Sequence, residues 1–180
     1  MSEVDVDSLI LPRSSSRVCL RRLTGNDLAD FQAYRLDPEV AALQGWGASS
    51  DEQALQFLNK MQVTALFEPM QWCQLGIADP VSNRLLGDMG FCLSEDGTAL
   101  EFGISLNRAM QGKGFASAAL RLAIALVFEH SVIERIMAIT DDRNLAAQSL
   151  LVSCGFAQVE RINTTFRDKP CIEIVYELYR

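Results

Sequence analysis

Histidine is nearly missing from this chain: His130 is the single one among 180 residues. One imidazole gives little basis for a metal centre or a Ser-His-Asp relay, so neither is the expected chemistry and no metal is assigned. Cysteine is sparse and scattered. The five cysteines (Cys19, Cys73, Cys92, Cys154, Cys171) show no C-x-x-C spacing and are odd in number, which suggests neither a zinc site nor a disulfide framework. Basic charge is also short, with 16 Lys and Arg against 23 Asp and Glu for a net charge of -7. A phosphate backbone is held mainly by clustered cations, so nucleic acid is not an expected partner. No run approaches the roughly 20 apolar residues that span a bilayer, so a membrane is not expected either. The opening "MSEVDVDSLILPRSSS" lacks the basic start and long apolar core of a secretory signal. The expectation is a cytoplasmic protein with a flexible segment over residues 1–16 and one domain over 17–180.

Apolar residues make up 49% of the chain, enough to bury one sizeable core. "RVCLRRL" (17–23) alternates with period two and reads as a strand. A helical pattern follows through Leu28, Phe31 and Leu36 and stops at Asp37-Pro38. After a short helix and the Gly45-Trp46-Gly47 break, the polar cluster Ser49, Ser50, Asp51 announces a second helix. The texture then changes to strands: "QWCQLGIAD", "LLGDMGFCL" and "ALEFGISL", separated by turn-rich "PVSNR" and "SEDG", which together make an antiparallel meander. A helix from about 114 to 130, a strand "RIMAIT", a helix from about 144 to 154 and two closing strands around the turn "RDKP" complete the chain.

The glycines Gly112 and Gly114 sit between a strand and a long helix. A loop in that position aims unpaired N–H groups and the positive end of the helix dipole at one point, which makes an anion site even on an acidic protein. Two familiar phosphate loops are excluded by sequence. A G-x-x-x-x-G-K-[ST] loop fails at Asn107 and Gly114. A dinucleotide fingerprint fails at Ser117 and at the antiparallel strands before the loop.

"EFGISLNRAMQGKGFASAAL" resembles the acetyl-CoA-binding segment of the GNAT superfamily of N-acetyltransferases, [QR]-x-x-G-x-[GA], through Gln111, Gly114 and Ala116. Glu101-Phe102-Gly103 matches the E-x-G start usual in its Rim-type branch of ribosomal-protein N-terminal acetyltransferases. "DDRNLAAQSLLVSCGF" is similar to a second family segment through Asn144, Ala147, Leu150 and Gly155-Phe156. "VCLRRLTGNDLADFQAYRLDPEV" is similar to the branch's first strand and helix.

The resemblance implies an α/β (α+β) fold with a mixed, mostly antiparallel sheet of about seven strands flanked by helices. It implies acetyl-CoA as cosubstrate and a primary amine, on a peptide N-terminus or a small molecule, as acceptor; a homodimer is left open. Amides along Gln111, Gly112, Lys113, Gly114, Phe115, Ala116 and Ser117 would receive the diphosphate. Backbone groups of Ile104, Ser105 and Leu106 would hold the pantetheine arm, with Asn144 contacting it from the next strand-helix junction. Glu101 is the expected general base, with Glu173 a second choice, and Trp46 and Trp72 would wall the acceptor. Where relatives carry a Ser or Tyr proton donor, this chain has Ala147 and Leu151, which keeps open a second reading as a non-catalytic acyl-CoA sensor. Lys113, Arg108 and Arg143 are candidate steering charges.

Overall fold

The computed structural model describes residues 10–180. Eight strands form one sheet in the order β1-β2-β3-β4-β5-β6-β8-β7. They are β1 (Arg13–Ser14), β2 (Cys19–Arg22), β3 (Trp72–Ala78), β4 (Leu85–Leu93), β5 (Ala99–Leu106), β6 (Arg135–Asp141), β7 (Ala157–Phe166) and β8 (Lys169–Tyr179). The helices are α1 (Leu28–Arg35), α2 (Pro38–Ala41), α3 (Asp51–Val63), α4 (Phe115–His130) and α5 (Leu145–Ser153). The strand beyond the expected seven is β1, which pairs with β2 through Arg13↔Leu20 and Ser14↔Cys19. Ordered structure therefore begins before residue 17: Ile10 is buried in the main core, while residues 1–9 of the expected flexible segment lie outside the described residues.

Local signals set the element ends. Ser50 Oγ accepts from Gln53 N–H at 3.2 Å and Gln53 Oε1 accepts from Ser50 N–H at 3.0 Å, a reciprocal cap that starts α3. Asp37 accepts from Glu39 N–H at 3.0 Å and starts α2 where Pro38 occupies the first turn. The β7–β8 hairpin turns on Arg167 and Asp168, with φ of 50° and 60°, the left-handed pair that a two-residue turn needs to match strand twist.

Side chains alternate along each strand, so the sheet has two distinct faces. On one, α4 contributes Ala119, Leu120, Ala123, Leu126 and Val127 to a large core with Leu75, Met89, Phe91, Leu100 and Ile136. Toward one end of the other face, Phe31 and Tyr34 of α1 and Leu58 of α3 pack with Leu23 and Leu85 in a smaller core. The rest of that second face carries Trp72, Gln74, Asp88, Gly90, Glu101, Gly103 and Glu173, all of which line a cavity. No helix among the described residues is long and apolar enough to cross a membrane.

Candidate active site

Among the named strands β5 and β6 are the single parallel pair, and their pairing is short. It runs through Ala99↔Arg135, Leu100↔Ile136 and Glu101↔Met137 and then stops, although both strands continue, β5 to Leu106 and β6 to Asp141. Beyond Glu101 the two strands part. Facing backbone edges are left without each other's hydrogen bonds, and a cavity of about 620 Å³ is lined by Phe102–Ser105 on one side and Ala138–Asp141 on the other. Backbone groups at such a gap need partners from elsewhere. A chain-like ligand bearing its own amides has the groups to supply them.

The floor of the cavity beside this gap is bare sheet. Gly90 of β4 pairs with Gly103 of β5, and a Cβ added at Gly103 meets nothing within 4 Å, so that backbone faces open space. Trp72 covers the Gly90 side, with ring carbons 3.1 Å from where a Gly90 Cβ would stand. Trp46 stands on the loop after α2 and also lines the cavity. It is held from beneath by Arg35, whose guanidinium carbon lies 4.2 Å from the ring centroid.

Four carboxylates line this space, and they differ in their neighbours. Asp88 is buried and accepts hydrogen bonds from Arg35 Nη2 at 2.9 Å and from the Tyr34 hydroxyl. Burial first, and the Asp88 charge second, push the Tyr34 phenol well above its ordinary range, so it stays a neutral donor. Asp141 is gripped by Arg143 through both Nε (2.7 Å) and Nη2 (2.6 Å), which holds its carboxyl below the usual carboxylate range. Glu101 and Glu173 have no cation or hydrogen-bond donor on their side chains among the described residues. Burial raises the Glu101 pKa, and the charge of nearby Glu173 raises it further. A half-buried carboxylate with a raised pKa and free lone pairs is suited to accept a proton.

The structure gathers Trp46, Trp72, Glu101, Ile104, Ser105 and Asn144 around this one cavity. Leu106 lies at the end of β5, just beyond it. Asn144 Oδ1 accepts from Ala147 N–H at 3.1 Å and caps α5, which leaves the side-chain amide nitrogen to a ligand. Ala147 and Leu151 share the cavity-facing side of α5, as the helical phase predicts, whereas Ser149 is exposed and lines nothing. The hydroxyls on the cavity wall are instead Ser105 and Thr140.

The glycine loop stands apart from the cavity, directly after β5. Gly112 and Gly114 have φ of 69° and 82°, a left-handed backbone that glycine adopts without a Cβ penalty. The first hydrogen bond into α4 runs from Ala118 N–H to Gly114 O, so among the described residues the amides from Gly112 to Ser117 have no backbone acceptor. Gln111 differs from the expectation. Its N–H already donates to Arg108 O, and its side chain donates to Leu106 O at 3.1 Å, tying the loop to β5. Phe115 and Ala116 turn their side chains into the core and offer only their amides.

Two of the expected steering charges are consumed internally. Arg108 pairs with Asp37 at 3.1 Å and Glu39 at 2.7 Å, and Arg143 pairs with Asp141. In their place the fold brings Arg17 to the loop: its Nη1 lies 2.8 Å from where a Gly114 Cβ would stand. Nothing local in "RVCLRRL" marks Arg17 for this, because the contact spans nearly a hundred residues. A helix N-terminus with free amides, two left-handed glycines and an arginine that has no carboxylate partner among the described residues is the kind of site that suits an anion.

Residues 17–157, well over half of the chain, match the family model described as an acetyltransferase (GNAT) domain. No curated protein matches the sequence. Solved structures share the fold at low identity. The GNAT-family acetyltransferase of Bacillus anthracis is 18% identical with a TM-score of 0.82, the match covering 92% of this chain and 96% of that one. The ribosomal L7/L12 alpha-N-protein acetyltransferase RimL, solved with coenzyme A, is 15% identical with a TM-score of 0.80, covering 93% and 97%. The spermidine N-acetyltransferase of Vibrio cholerae, solved with CoA and spermine, is 18% identical with a TM-score of 0.78, covering 92% and 96%. The split sheet, the amide-rich loop and the family match lead to one statement: the chain belongs to the GNAT acetyltransferase family.

Proposed function

We propose that this protein is an acetyl-CoA-dependent N-acetyltransferase, of the Rim-type branch, that passes an acetyl group to a primary amine by direct attack. The observation that carries this reading is the parting of β5 and β6 after Glu101. It leaves strand edges to hydrogen-bond the two amides of a pantetheine arm, in line with the loop whose free amides, with Lys113 and Arg17, receive its diphosphate. Fit is not an obstacle. The cavity of about 620 Å³ is within the usual range for small-molecule sites.

The residues divide the chemistry. Glu101 accepts the proton of an incoming ammonium, directly or through water, and so delivers a neutral nucleophile. An N–H on the parted edge of β5, in the stretch from Gly103 to Leu106, stabilises the carbonyl oxygen as it becomes negative; loss of one such donor elsewhere costs roughly 3–4 kcal/mol of barrier. Asn144 orients the arm. No hydroxyl of α5 faces the departing sulfur, since Ala147 and Leu151 occupy that side. That absence supports the second reading, a GNAT-fold acyl-CoA sensor that binds without turnover.

One pair of measurements separates them. CoA and acetyl-CoA are titrated against thermal stability, and release of free CoA is followed with a panel of amines and peptides. At 100 times Kd the cofactor adds about 2.7 kcal/mol, or roughly 5–10 °C in Tm for a domain of this size. Stabilisation with turnover is the expected result. Stabilisation with no turnover across the panel selects the sensor, and no stabilisation by either thioester or thiol removes both.

A further inference from the structure

We propose that the acceptor end of the cavity is a roofed acidic pocket for a small diamine, and that Arg167 is the specificity-determining residue that closes it against polypeptide chain ends. The proposal rests on the acetyltransferase reading and narrows it to one acceptor class.

The roof comes from two loops that are far apart in sequence. Leu43 to Trp46 line the cavity from one side and Phe166 lines it from the β7–β8 hairpin. Arg167, the residue after Phe166, reaches across: its Nη2 donates to the carbonyls of Ala41 (3.1 Å), Gln44 (3.2 Å) and Trp46 (3.2 Å). Those carbonyls belong to the C-terminal end of α2 and the turn after it, where a cation is favoured; that of Ala41 also accepts from Gln44 N–H at 3.2 Å. From the same loop, Gln44 Nε2 donates to Ile104 O on β5 at 3.4 Å. The loop carrying Trp46 is therefore pinned to the hairpin at one point and to β5 at another. Arg167 thus joins two segments that line the cavity and closes the rim between them, which leaves less width for a chain end with residues trailing behind it. A compact amine trails none.

The charge of the pocket points to the chemical class. Of its four carboxylates, Asp88 is matched by Arg35 and Asp141 by Arg143. Glu101 and Glu173 are unmatched among the described residues, and no Lys or Arg lines the cavity. The remaining titratable group on the wall, Cys171, carries no positive charge in any state. Two unmatched carboxylates lining one cavity, with the charge of Glu173 felt at Glu101, suit a ligand with two positive charges. Glu101 takes the proton of the reacting ammonium, and Glu173 holds the second. Trp72, 42% exposed at the mouth, offers a ring face to the methylene chain and its cationic ends.

The test compares 1,4-diaminobutane with an alanine-led tetrapeptide as acceptors, on the full chain with acetyl-CoA. Wild type is expected to favour the diamine at least tenfold in kcat/KM. In Arg167→Ala that ratio should fall at least tenfold, through a higher KM for the diamine and a gain on the peptide, while calorimetric CoA affinity is unchanged. Arg167→Lys, which keeps the charge but reaches fewer carbonyls, should fall between. A wild-type preference for the peptide, or a ratio unmoved in Arg167→Ala, overturns the proposal. Calorimetry of 1,4-diaminobutane without acetyl-CoA keeps the pocket separable from the chemistry. Binding that weakens at least tenfold in Glu173→Gln supports the pocket even where no acetyl transfer occurs, and absence of diamine binding overturns it.

Discussion

Replacing Glu101 by Gln removes the one carboxylate in the cavity that combines half-burial, a raised pKa and free lone pairs. Two consequences follow, one kinetic and one thermodynamic. A general base contributes roughly 10²- to 10⁴-fold, so CoA release with a productive amine should fall at least tenfold, most severely at low pH where neutral amine is scarce. Acetyl-CoA binding should survive, because Glu101 lies on the acceptor side of the split. The wild-type acidic limb of kcat/KM should sit above the ordinary glutamate value of 4.5, since burial and then Glu173 both raise it. Glu173→Gln removes the like charge and should move that limb down. The thermodynamic consequence needs no acceptor. A carboxyl whose folded pKa is raised stabilises the folded state below its unfolded pKa, and that contribution is lost as pH rises through the folded pKa. Glu101→Gln cannot ionise, so its unfolding free energy should lose less than that of wild type as pH rises through this window, measured by urea unfolding at a series of pH values. Matched kinetics at every pH, together with parallel stability curves, would refute the assignment and leave catalysis to positioning and the strand donor.

Gly114→Val should abolish the rise in Tm caused by CoA: φ of 82° costs a β-branched residue about 1–2 kcal/mol, and its Cβ would stand 2.8 Å from Arg17 Nη1, displacing that guanidinium from the loop. Arg17→Ala should leave the fold intact and weaken CoA binding in calorimetry, more at low salt than at high, because an exposed charge on an anion is screened. Asn144→Ala should weaken CoA binding by roughly 1 kcal/mol and also lower stability by about that much through loss of the α5 cap, whereas exposed Ser149→Ala should do neither. Equal effects would mean that α5 presents a different face. Asp88→Ala strands the buried Arg35 guanidinium and Tyr34 hydroxyl, and should cost about 3–5 kcal/mol in denaturant unfolding. Tyr34→Phe, which keeps the ion pair, should cost less.

What the sequence determined by itself is local. Strand alternation placed β4 and β5 at their observed limits, the Ser50 signal placed the start of α3, and helical phase put Asn144, Ala147 and Leu151 on one side of α5 with Ser149 on another. These features depend on neighbours within a few residues, through pleat, period and caps, so they are written in the order of the residues. The backbone of the glycine loop was legible for the same reason, because a strand end, two glycines and a helix start are neighbours in the chain. Tertiary structure alone decided the rest. Nothing in "ALEFGISL" or "RIMAIT" tells that their pairing stops after Glu101. Arg17 reaches Gly114, Glu173 raises the pKa of Glu101, and Arg167 grips carbonyls more than a hundred residues away. Arg108 and Arg143, open candidates by composition, are taken up by Asp37, Glu39 and Asp141. A charge acquires its role from the partners the fold brings to it, and those partners are set by strand order and crossover, not by sequence spacing.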